Sequence, residues 1–397
     1  MKRDEWGKYK GREQSCVKHH VLKHYLQSLT YKLALGLKRP KLVLTYIDGF
    51  SGPWKSSAED LSDTSFQIAI SELRKVRDDL SDRKNLILRC LFLEKDNEAF
   101  LMLKEYASTI KDIQIKLIHG SFEDNIPEVV QFAKADNNMF TFTFINPTGW
   151  KGFGMNNIRP LLELPFSEVL INFMTDFIIR FIDDERQEIK NTFIDLFGTD
   201  KVQDQWKELT GKERETAIVE AYRQCLKEEG RYRYVADAVI LNPYKDRTHY
   251  NLIYGTRKLT GLLAFREVER KAMLEQDKIR CLAQQNRRIE TNGQLGLFDI
   301  EEIAKSNSYF TELRNGYLGT VKPEMRKYLA AKKRVEYDSI LIFLERPMIY
   351  EPDIKAWLSE WRKSGLIKIE GLGSRERVPR IKKNHFIIWT GHVEQSF

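Results

Sequence analysis

The first part of the chain alternates between two kinds of apolar pattern. Residues 17–35 carry apolar side chains at helical spacing, which predicts an amphipathic helix. Short apolar, β-branched runs then recur, and each is followed by a helical pattern. These runs are residues 42–47, 86–93, 113–118, 140–145 and 168–173. Strand–helix alternation at this rhythm predicts a parallel sheet that is covered by helices on both faces.

The next segment changes character twice. Residues 177–232 are charged and mostly helical in pattern, which predicts a helical insertion. Two β runs follow at 235–241 and 250–255, separated by the polar turn 242–247, and they predict an antiparallel hairpin. A parallel sheet that ends in an antiparallel hairpin is typical of one class of Rossmann-like enzymes. We therefore expect an α/β fold of that class over residues 1–275.

The rest of the chain predicts a connector and a second unit. Residues 280–319 are polar and interrupted by glycines, so we expect a linker, a helical connector or a long flexible loop over about 276–330. Two helical patterns then precede the β runs 366–369 and 385–388, which flank a basic turn. Helix, helix and two-stranded ribbon is the pattern of a winged helix-turn-helix, which we expect over 331–397.

Composition narrows the class of protein. The 397 residues are 42% hydrophobic and 31% charged, which is typical of a soluble globular protein. No apolar run approaches the roughly 20 residues that cross a bilayer, and the N-terminus leads into no apolar signal core, so we expect a cytoplasmic protein without membrane contact. The net charge of +8 favours a polyanionic partner.

Cysteine and histidine spacing gives no sign of a metal site. The four cysteines are Cys16, Cys90, Cys225 and Cys281. They include no C-x-x-C pair, which argues against a disulfide framework and against a zinc or iron–sulfur site. The histidines at 19–24 lack an H-E-x-x-H pattern. We expect free thiols and no metal.

The end of the first predicted strand is the richest candidate site. Asp48 closes the strand, and two small-residue turns follow it. The residues concerned are Gly49, Phe50, Ser51 and Gly52. Glycines at such a turn allow the backbone to approach a ligand closely, although Trp54 stands where a third glycine is common. Asp48 is either an acid of a nucleotide-type site or a cap of the turn.

Two further strand ends carry side chains suited to a nucleoside. Ligands of open α/β sheets bind at the carboxyl ends of the strands. Glu94 or Asp96, after the second strand, can accept hydrogen bonds from both ribose hydroxyls, and the alternative is a solvated loop charge. Ser121 and Phe122, after the third strand, are candidates to flank an adenine ring.

These strand ends resemble the S-adenosylmethionine-dependent methyltransferase fold, and most closely the family of three-Cys-motif partner proteins. The resemblance covers roughly residues 17–273 and rests on the motifs at 18–19, 46–53, 144–150, 168–174 and 254–257. It implies S-adenosyl-L-methionine as the cofactor. It also implies a methyltransferase-like domain that is encoded beside a protein with a radical-S-adenosylmethionine-like cysteine triplet.

The fourth strand end has a possible catalytic interpretation. In amino-methyltransferases an Asp or Asn, the carbonyl after it and an aromatic ring hold an exocyclic amine beside the sulfonium. Asn146 and Pro147 would supply the acceptors, and Trp150 the stacking face. This sequence departs from the usual pattern, because Thr148 replaces a second proline and Gly149 delays the aromatic. The alternative is an ordinary Asn-Pro turn.

Two other features have a functional and a structural interpretation. Residues 18–19 of the leading helix either reach the site or lie on a solvated helix face, and we favour the solvated face. Residues 371–383 contain five basic residues and one acid. The basic residues are Arg375, Arg377, Arg380, Lys382 and Lys383. They predict phosphate contacts without sequence readout, against the alternative of a solvated charge run.

Three functions remain open from the sequence. The first is methyl transfer from S-adenosylmethionine to a base of DNA or RNA, with the C-terminal unit holding the polymer. The second is a non-catalytic partner or specificity subunit of a three-cysteine protein. The third is a transcriptional or defence regulator whose Rossmann-like domain senses a nucleotide.

Overall fold

A computed structural model describes residues 8–38, 40–52, 56, 58, 61–134, 139–201, 206–292 and 309–391, so Pro53 and Trp54 of the first loop lie outside the described residues. The first seven strands are β1 Lys41–Asp48, β2 Asn85–Glu94, β3 Gln114–His119, β4 Met139–Ile145, β5 Ser167–Phe173, β6 Tyr234–Leu241 and β7 Thr248–Thr256. The helices around them are α1 Glu13–Gly36, α2 Ser65–Asp79, α3 Asn97–Ser108, α4 Ile126–Ala133, α5 Met155–Leu162, α6 Thr175–Phe181, α7 Gln187–Phe197, α8 Gly211–Gly230 and α9 Leu259–Asn292.

The seven strands form one sheet in the order β3-β2-β1-β4-β5-β7-β6. The strands β1 to β5 are parallel, and β7 runs antiparallel to both β5 and β6. The predicted parallel sheet with a final antiparallel hairpin is confirmed. The strand order reverses beside β1, so the carboxyl ends of β1 and β4 are neighbours at the switch point where such sheets bind ligands.

Apolar side chains from alternate strand positions build a core on each face of the sheet. Leu44 and Tyr46 of β1 pack into a cluster with α1, α2 and α9, whereas Ile47 packs into a second cluster with α4, α5 and α8. Burial on both faces explains why these strands read as nearly continuous apolar runs. The sheet therefore holds its carboxyl edge rigidly between two layers of helices.

The C-terminal unit is a small α/β assembly. It contains α10 Tyr309–Lys332, β8 Arg334–Glu336, α11 Tyr337–Ile340, a 3-10 turn Leu341–Glu345, α12 Glu351–Lys363, β9 Ile367–Glu370 and β10 Phe386–Trp389. The three strands pair antiparallel in the order β8-β10-β9. Trp357 and Trp361 of α12 are 7% and 3% exposed and lie in the hydrophobic core. The winged-helix assignment stays a prediction.

Of the alternatives expected over 276–330, the described residues fit the helical connector and not the long flexible loop, and residues 293–308 lie outside the described ones. α9 continues to Asn292, and α10 begins at Tyr309. α10 buries Phe310, Val321, Met325 and Leu329 along one face. The sequence of α10 resembles that of a loop because it contains many polar residues and two glycines. A helix can accommodate these residues here because only one narrow stripe of it contacts the core. The segment 177–232, where a helical insertion was expected, corresponds to the helices α6, α7 and α8.

A buried polar network joins the C-terminal unit to the large sheet. The Glu345 carboxylate accepts from Lys227 Nζ at 2.7 Å and from the backbone N–H of Val235, on the edge strand β6, at 3.0 Å. The Glu345 carbonyl accepts from Arg223 at 2.8 Å and from Arg266 at 3.0 Å. The two units are therefore fixed to each other by several charge-assisted hydrogen bonds.

The cysteines, the candidate metal ligands and the helix lengths do not point to a particular function. Among the described residues, Cys16, Cys90 and Cys225 are buried and form no disulfide, and burial raises the pKa of Cys90 to about 12. Within the described ranges, no group of three or more His, Cys, Asp or Glu side chains could hold a metal ion. Among the helices that the structure describes, none is long and apolar enough to cross a membrane.

Candidate site at the carboxyl edge of the sheet

Three polar side chains meet beyond the carboxyl ends of β4 and β5. Asn146 follows β4, and its Oδ1 accepts from Lys18 Nζ at 2.8 Å and from Asn172 Nδ2 at 3.0 Å. We call Lys18, Asn146 and Asn172 the amide site. The helix α1 supplies Lys18, so the site combines the sheet edge with the helix that precedes the sheet. Asp48, at the end of the adjacent strand β1, is close enough to oppose part of the burial effect on Lys18.

Lys18 is buried, which contradicts the expectation of a solvated helix face. Only 8% of Lys18 is exposed, because it lies on the same face of α1 as the buried residues Leu22 and Tyr25. Burial lowers the pKa of the Lys18 ammonium to about 8, against the attraction of Asp48. The apolar residues Leu22 and Tyr25 follow Lys18 by four and seven positions, and this spacing indicates that Lys18 lies on their face of the helix.

Asp48 holds the turn after β1. Its carboxylate accepts from Ser65 Oγ at 2.6 Å, from the Phe50 N–H at 3.2 Å and from Tyr46 Oη at 3.2 Å. Asp48 is fully buried, and burial raises the pKa of its carboxyl above the ordinary range. The contacts correspond to the turn-capping alternative, because they connect the first loop to the start of α2. A cofactor role of Asp48 stays a prediction.

Gly49 approaches an aromatic ring of the protein itself. A Cβ at Gly49 would lie 2.7 Å from the Phe122 ring, and Phe122 is 1% exposed. Phe122 therefore does not flank an open site as expected, because its ring fills the space beside the glycine. Phe50 is half-buried, with its ring centroid 5.8 Å from that of Phe122. Ser121 is half-exposed and its hydroxyl bonds to Asp124, which closes the following turn.

The second strand end keeps an acid in place. Glu94 is 3% exposed, and its Oε1 accepts from the Asp96 N–H at 2.6 Å. Asp96 is exposed and caps α3 by accepting from the Ala99 N–H at 2.9 Å. Ser51 is fully buried and donates its backbone N–H to the Leu93 carbonyl at 2.8 Å, so it ties β1 to β2. Gly52 is half-exposed at the end of the described loop.

Trp150 packs away from the expected stacking position. Its indole N–H donates to Thr192 Oγ1 at 2.9 Å, and its ring stacks on Phe193 with an interplanar angle of 10°. Pro147 is buried and Asn146 half-buried. The structure brings Asn146 to the site but places one face of Trp150 against α7, because the insertion helices offer an apolar surface there.

Asn172 is the site residue that sequence reasoning missed. It stands near the end of β5, in the otherwise apolar run 169–173, and is 3% exposed. Its Oδ1 is a buried acceptor that finds no donor among the described residues. A single amide inside a strand that is buried on both faces was the available signal, since such a group needs hydrogen-bond partners.

The five basic residues predicted to contact nucleic acid lie in the loop between β9 and β10. Arg375, Arg377, Arg380, Lys382 and Lys383 are all exposed. The buried His385 orders this loop, because its Nδ1 accepts from the Arg380 N–H at 2.9 Å and its Nε2 lies 3.4 Å from Glu376. The charged ends are thus presented to solvent from a loop with a defined backbone.

Two side chains at the ends of β1 and β2 are of the types that an adenosyl group requires. Glu94 places a carboxylate at the end of β2, and the half-buried ring of Phe50 follows the adjacent strand β1. A carboxylate suits the hydroxyls of a ribose, and an aromatic ring suits a base. Gly49 and Phe122 do not contribute to this fit, because they contact each other.

Comparisons with known proteins find solved structures that are similar to the chain. No family model matches the chain, and no curated protein matches it. A solved structure described as a loganic acid methyltransferase with SAH aligns with a TM-score of 0.32 and 9% identity, and covers 78% of this chain and 90% of that chain. A likeness of that size carries no argument about activity. The chain itself has a mixed α/β fold with a mostly parallel seven-stranded sheet.

Proposed function

We propose that this chain is an S-adenosylmethionine-dependent methyltransferase-like protein that acts on a base of a nucleic acid. The observation that carries the proposal is the amide site, which places an acceptor, Asn146, at the switch point of the sheet beside the buried Lys18 and Asn172. Glu94 and Phe50 would hold the adenosyl group. S-adenosylmethionine supplies a methyl group that is electrophilic because it is bound to a sulfonium.

The residues of the chain would orient the methyl acceptor. Asn146 Oδ1 would accept a hydrogen bond from one N–H of an exocyclic amine. The carbonyl of the next residue, Pro147, would accept a hydrogen bond from the other N–H. Hydrogen bonds to both N–H groups turn the nitrogen lone pair toward the reacting carbon. The amine must displace Lys18 from Asn146, because Oδ1 already accepts two hydrogen bonds.

The charge distribution supports a polyanionic substrate. The chain has a net charge of +8, and the ordered loop between β9 and β10 exposes five basic side chains. Such side chains bind phosphates through charge and carry no sequence readout. We propose that the C-terminal unit acts as a winged helix that positions DNA or RNA.

A second candidate is a non-catalytic partner subunit. It corresponds to the resemblance to three-Cys-motif partner proteins, and two observations favour it. Trp150 is used in packing against Phe193, and Asn146 is saturated by Lys18 and Asn172. In this alternative the same sheet serves as a scaffold for a neighbouring three-cysteine protein.

Cofactor binding tests whether the chain holds S-adenosylmethionine, which the first proposal requires. Calorimetric titration of the full chain with S-adenosylhomocysteine should show binding, which is expected to weaken in Glu94→Ala. Asn315→Ala, an exposed substitution on α10, is the matched control and should bind as the wild type does. Absence of binding at saturating ligand would contradict a cofactor site at this edge.

A methyl-transfer assay separates the two candidates. Tritiated S-adenosylmethionine is incubated with mixed DNA and RNA and with wild type, Asn146→Ala or Asn315→Ala. The methyltransferase proposal predicts label in the nucleic acid with wild type and the Asn315 control, and a loss of at least about tenfold in Asn146→Ala. Equal label with Asn146→Ala would exclude Asn146 as the acceptor. Cofactor binding without any label would favour the partner subunit.

A further inference from the structure

The orientation of the two amides at the amide site is fixed by Lys18. An ammonium has donors and no acceptor, so the atom of Asn146 that lies 2.8 Å from Nζ is the oxygen. The same oxygen is 3.0 Å from Asn172, which must therefore present its nitrogen. The other N–H of Asn172 is directed at Met174 Sδ, at 3.4 Å.

This orientation leaves one acceptor over. Asn172 Oδ1 is buried, and the described residues provide no donor to it. A buried acceptor without a donor is costly, and such groups are uncommon in folded proteins. Asn172 is 3% exposed and lies beside Asn146 at the sheet edge that the proposed function uses. Asn146 Oδ1 therefore accepts two internal hydrogen bonds, from Lys18 and Asn172, whereas Asn172 Oδ1 accepts none from the described residues.

We infer that Asn146 and Asn172 form a two-acceptor site for the exocyclic amine of a base, and that Lys18 Nζ occupies one acceptor until the amine replaces it. The inference rests on the proposed function, in which the methyl acceptor is the exocyclic amine of a base such as adenine or cytosine, and it adds Asn172 as the second acceptor and Lys18 as the donor that the amine replaces. Asn172 Oδ1 binds one N–H of the amine directly, and this replaces the role that the proposed function gives to the Pro147 carbonyl. Asn146 takes the other N–H after Lys18 has withdrawn.

The chemistry of the two donors explains the exchange. Lys18 Nζ and a base amine both offer N–H groups, so they compete for the same lone pairs of Asn146. A base with a carbonyl in place of the amine offers an acceptor to two acceptors, which is repulsive. At a site that hydrogen-bonds an amine, the loss of binding free energy with hypoxanthine or uracil is therefore larger than the gain with adenine or cytosine.

Nucleic-acid binding without turnover tests the inference. The probes are a mixed-sequence single strand and its analogue of equal length, in which hypoxanthine replaces adenine and uracil replaces cytosine. Fluorescence anisotropy is measured with the full chain and saturating S-adenosylhomocysteine. Because the two strands carry the same phosphates, contacts of the basic loop cancel in the comparison. We expect wild type to bind the amine-bearing strand about tenfold more tightly.

Variants assign the preference to the amide site. Asn172→Ala should bind both strands with similar affinity, whereas the exposed control Asn315→Ala should keep the wild-type ratio. Lys18→Met should increase the ratio, because it removes the internal competitor for Asn146. Equal binding of the two strands by wild type overturns the inference whatever the variants do. So does an unchanged ratio in a folded Asn172→Ala protein.

Failure of the inference is distinguishable from failure of the proposed function. Calorimetric binding of S-adenosylhomocysteine, together with equal binding of the two strands, leaves the cofactor site standing and rejects the amine site. No binding of either strand rejects the nucleic-acid substrate and the inference together.

Discussion

The buried ammonium of Lys18 gives the sharpest stability prediction. Lys18 is 8% exposed and hydrogen-bonded to Asn146, and the charge of Asp48 opposes the effect of burial on its pKa. Replacing it by methionine removes the charge and keeps a side chain of similar length and an apolar stem. If burial of the ammonium is costly, Lys18→Met should stabilise the folded protein.

The expected size follows from the pKa. Burial lowers the pKa of Lys18 from 10.5 to about 8, which corresponds to about 3 kcal/mol. Between these two pH values the unfolded chain holds a proton that the folded chain has released, so the stability of the wild type rises with pH in this window. Below about pH 8 the whole cost of the ammonium is present. The attraction of Asp48 is already contained in this lowered pKa. Part of the gain is offset, because the variant loses the hydrogen bond to Asn146.

We therefore expect Lys18→Met to be about 1 to 3 kcal/mol more stable than wild type near neutral pH. The difference should shrink as the pH approaches 10.5, where Lys18 is neutral in the folded protein. Urea unfolding across this range measures both values. Lys18→Arg is the matched control, because a guanidinium stays charged over this pH range. The difference in unfolding free energy between Lys18→Arg and Lys18→Met should therefore not decrease as the pH rises.

Two results would refute this reasoning. A Lys18→Met protein that is less stable than wild type near neutral pH would mean that the hydrogen bond to Asn146 outweighs the burial cost. A gap between wild type and Lys18→Met that stays constant up to pH 10.5 would mean that Lys18 does not titrate within the window.

Three further predictions concern packing, docking and charge. Gly49→Ala should lose about 1–3 kcal/mol in urea unfolding, because its Cβ would lie 2.7 Å from Phe122, whereas Gly316→Ala on α10 meets open space and should gain up to about 1 kcal/mol. Similar effects of the two substitutions would be inconsistent with the close contact. Glu345→Ala should lose about 1–3 kcal/mol, since it removes the acceptor of the half-buried Lys227 ammonium and of the buried Val235 N–H, and an unchanged unfolding midpoint would show that the docking network is dispensable. Lys383→Ala should lower the salt dependence of nucleic-acid affinity by about one phosphate contact at unchanged S-adenosylhomocysteine binding, and an unchanged slope would remove this residue from the interface.

Local patterns in the sequence were sufficient for most elements of the large sheet. The strand expected at 42–47 is β1 Lys41–Asp48, and the hairpin expected around 242–247 is β6 and β7. These elements were predictable because a strand buried on both faces must be apolar throughout, and a helix on a sheet must be apolar at every third or fourth position. Both requirements can be read within a few residues.

Long-range contacts decided the chemistry of the site. Lys18 and Asn146 are 128 positions apart, and Asn146 and Asn172 are 26 apart. Neither pairing leaves a local trace, because it depends on which strands become neighbours and on which helix covers their ends. The same reason explains Trp150, whose direction was set by Thr192 and Phe193 of the insertion helices.

The sequence by itself determined the alternation of strands and helices and the polar character of the four strand ends. Only the tertiary structure decided that Phe122 fills the space beside Gly49, that α10 is a helix rather than a loop, and that Lys18 is buried at the amide site. Secondary structure follows the period of nearby side chains. The partner of a buried polar group is chosen by packing between segments that are distant in the chain.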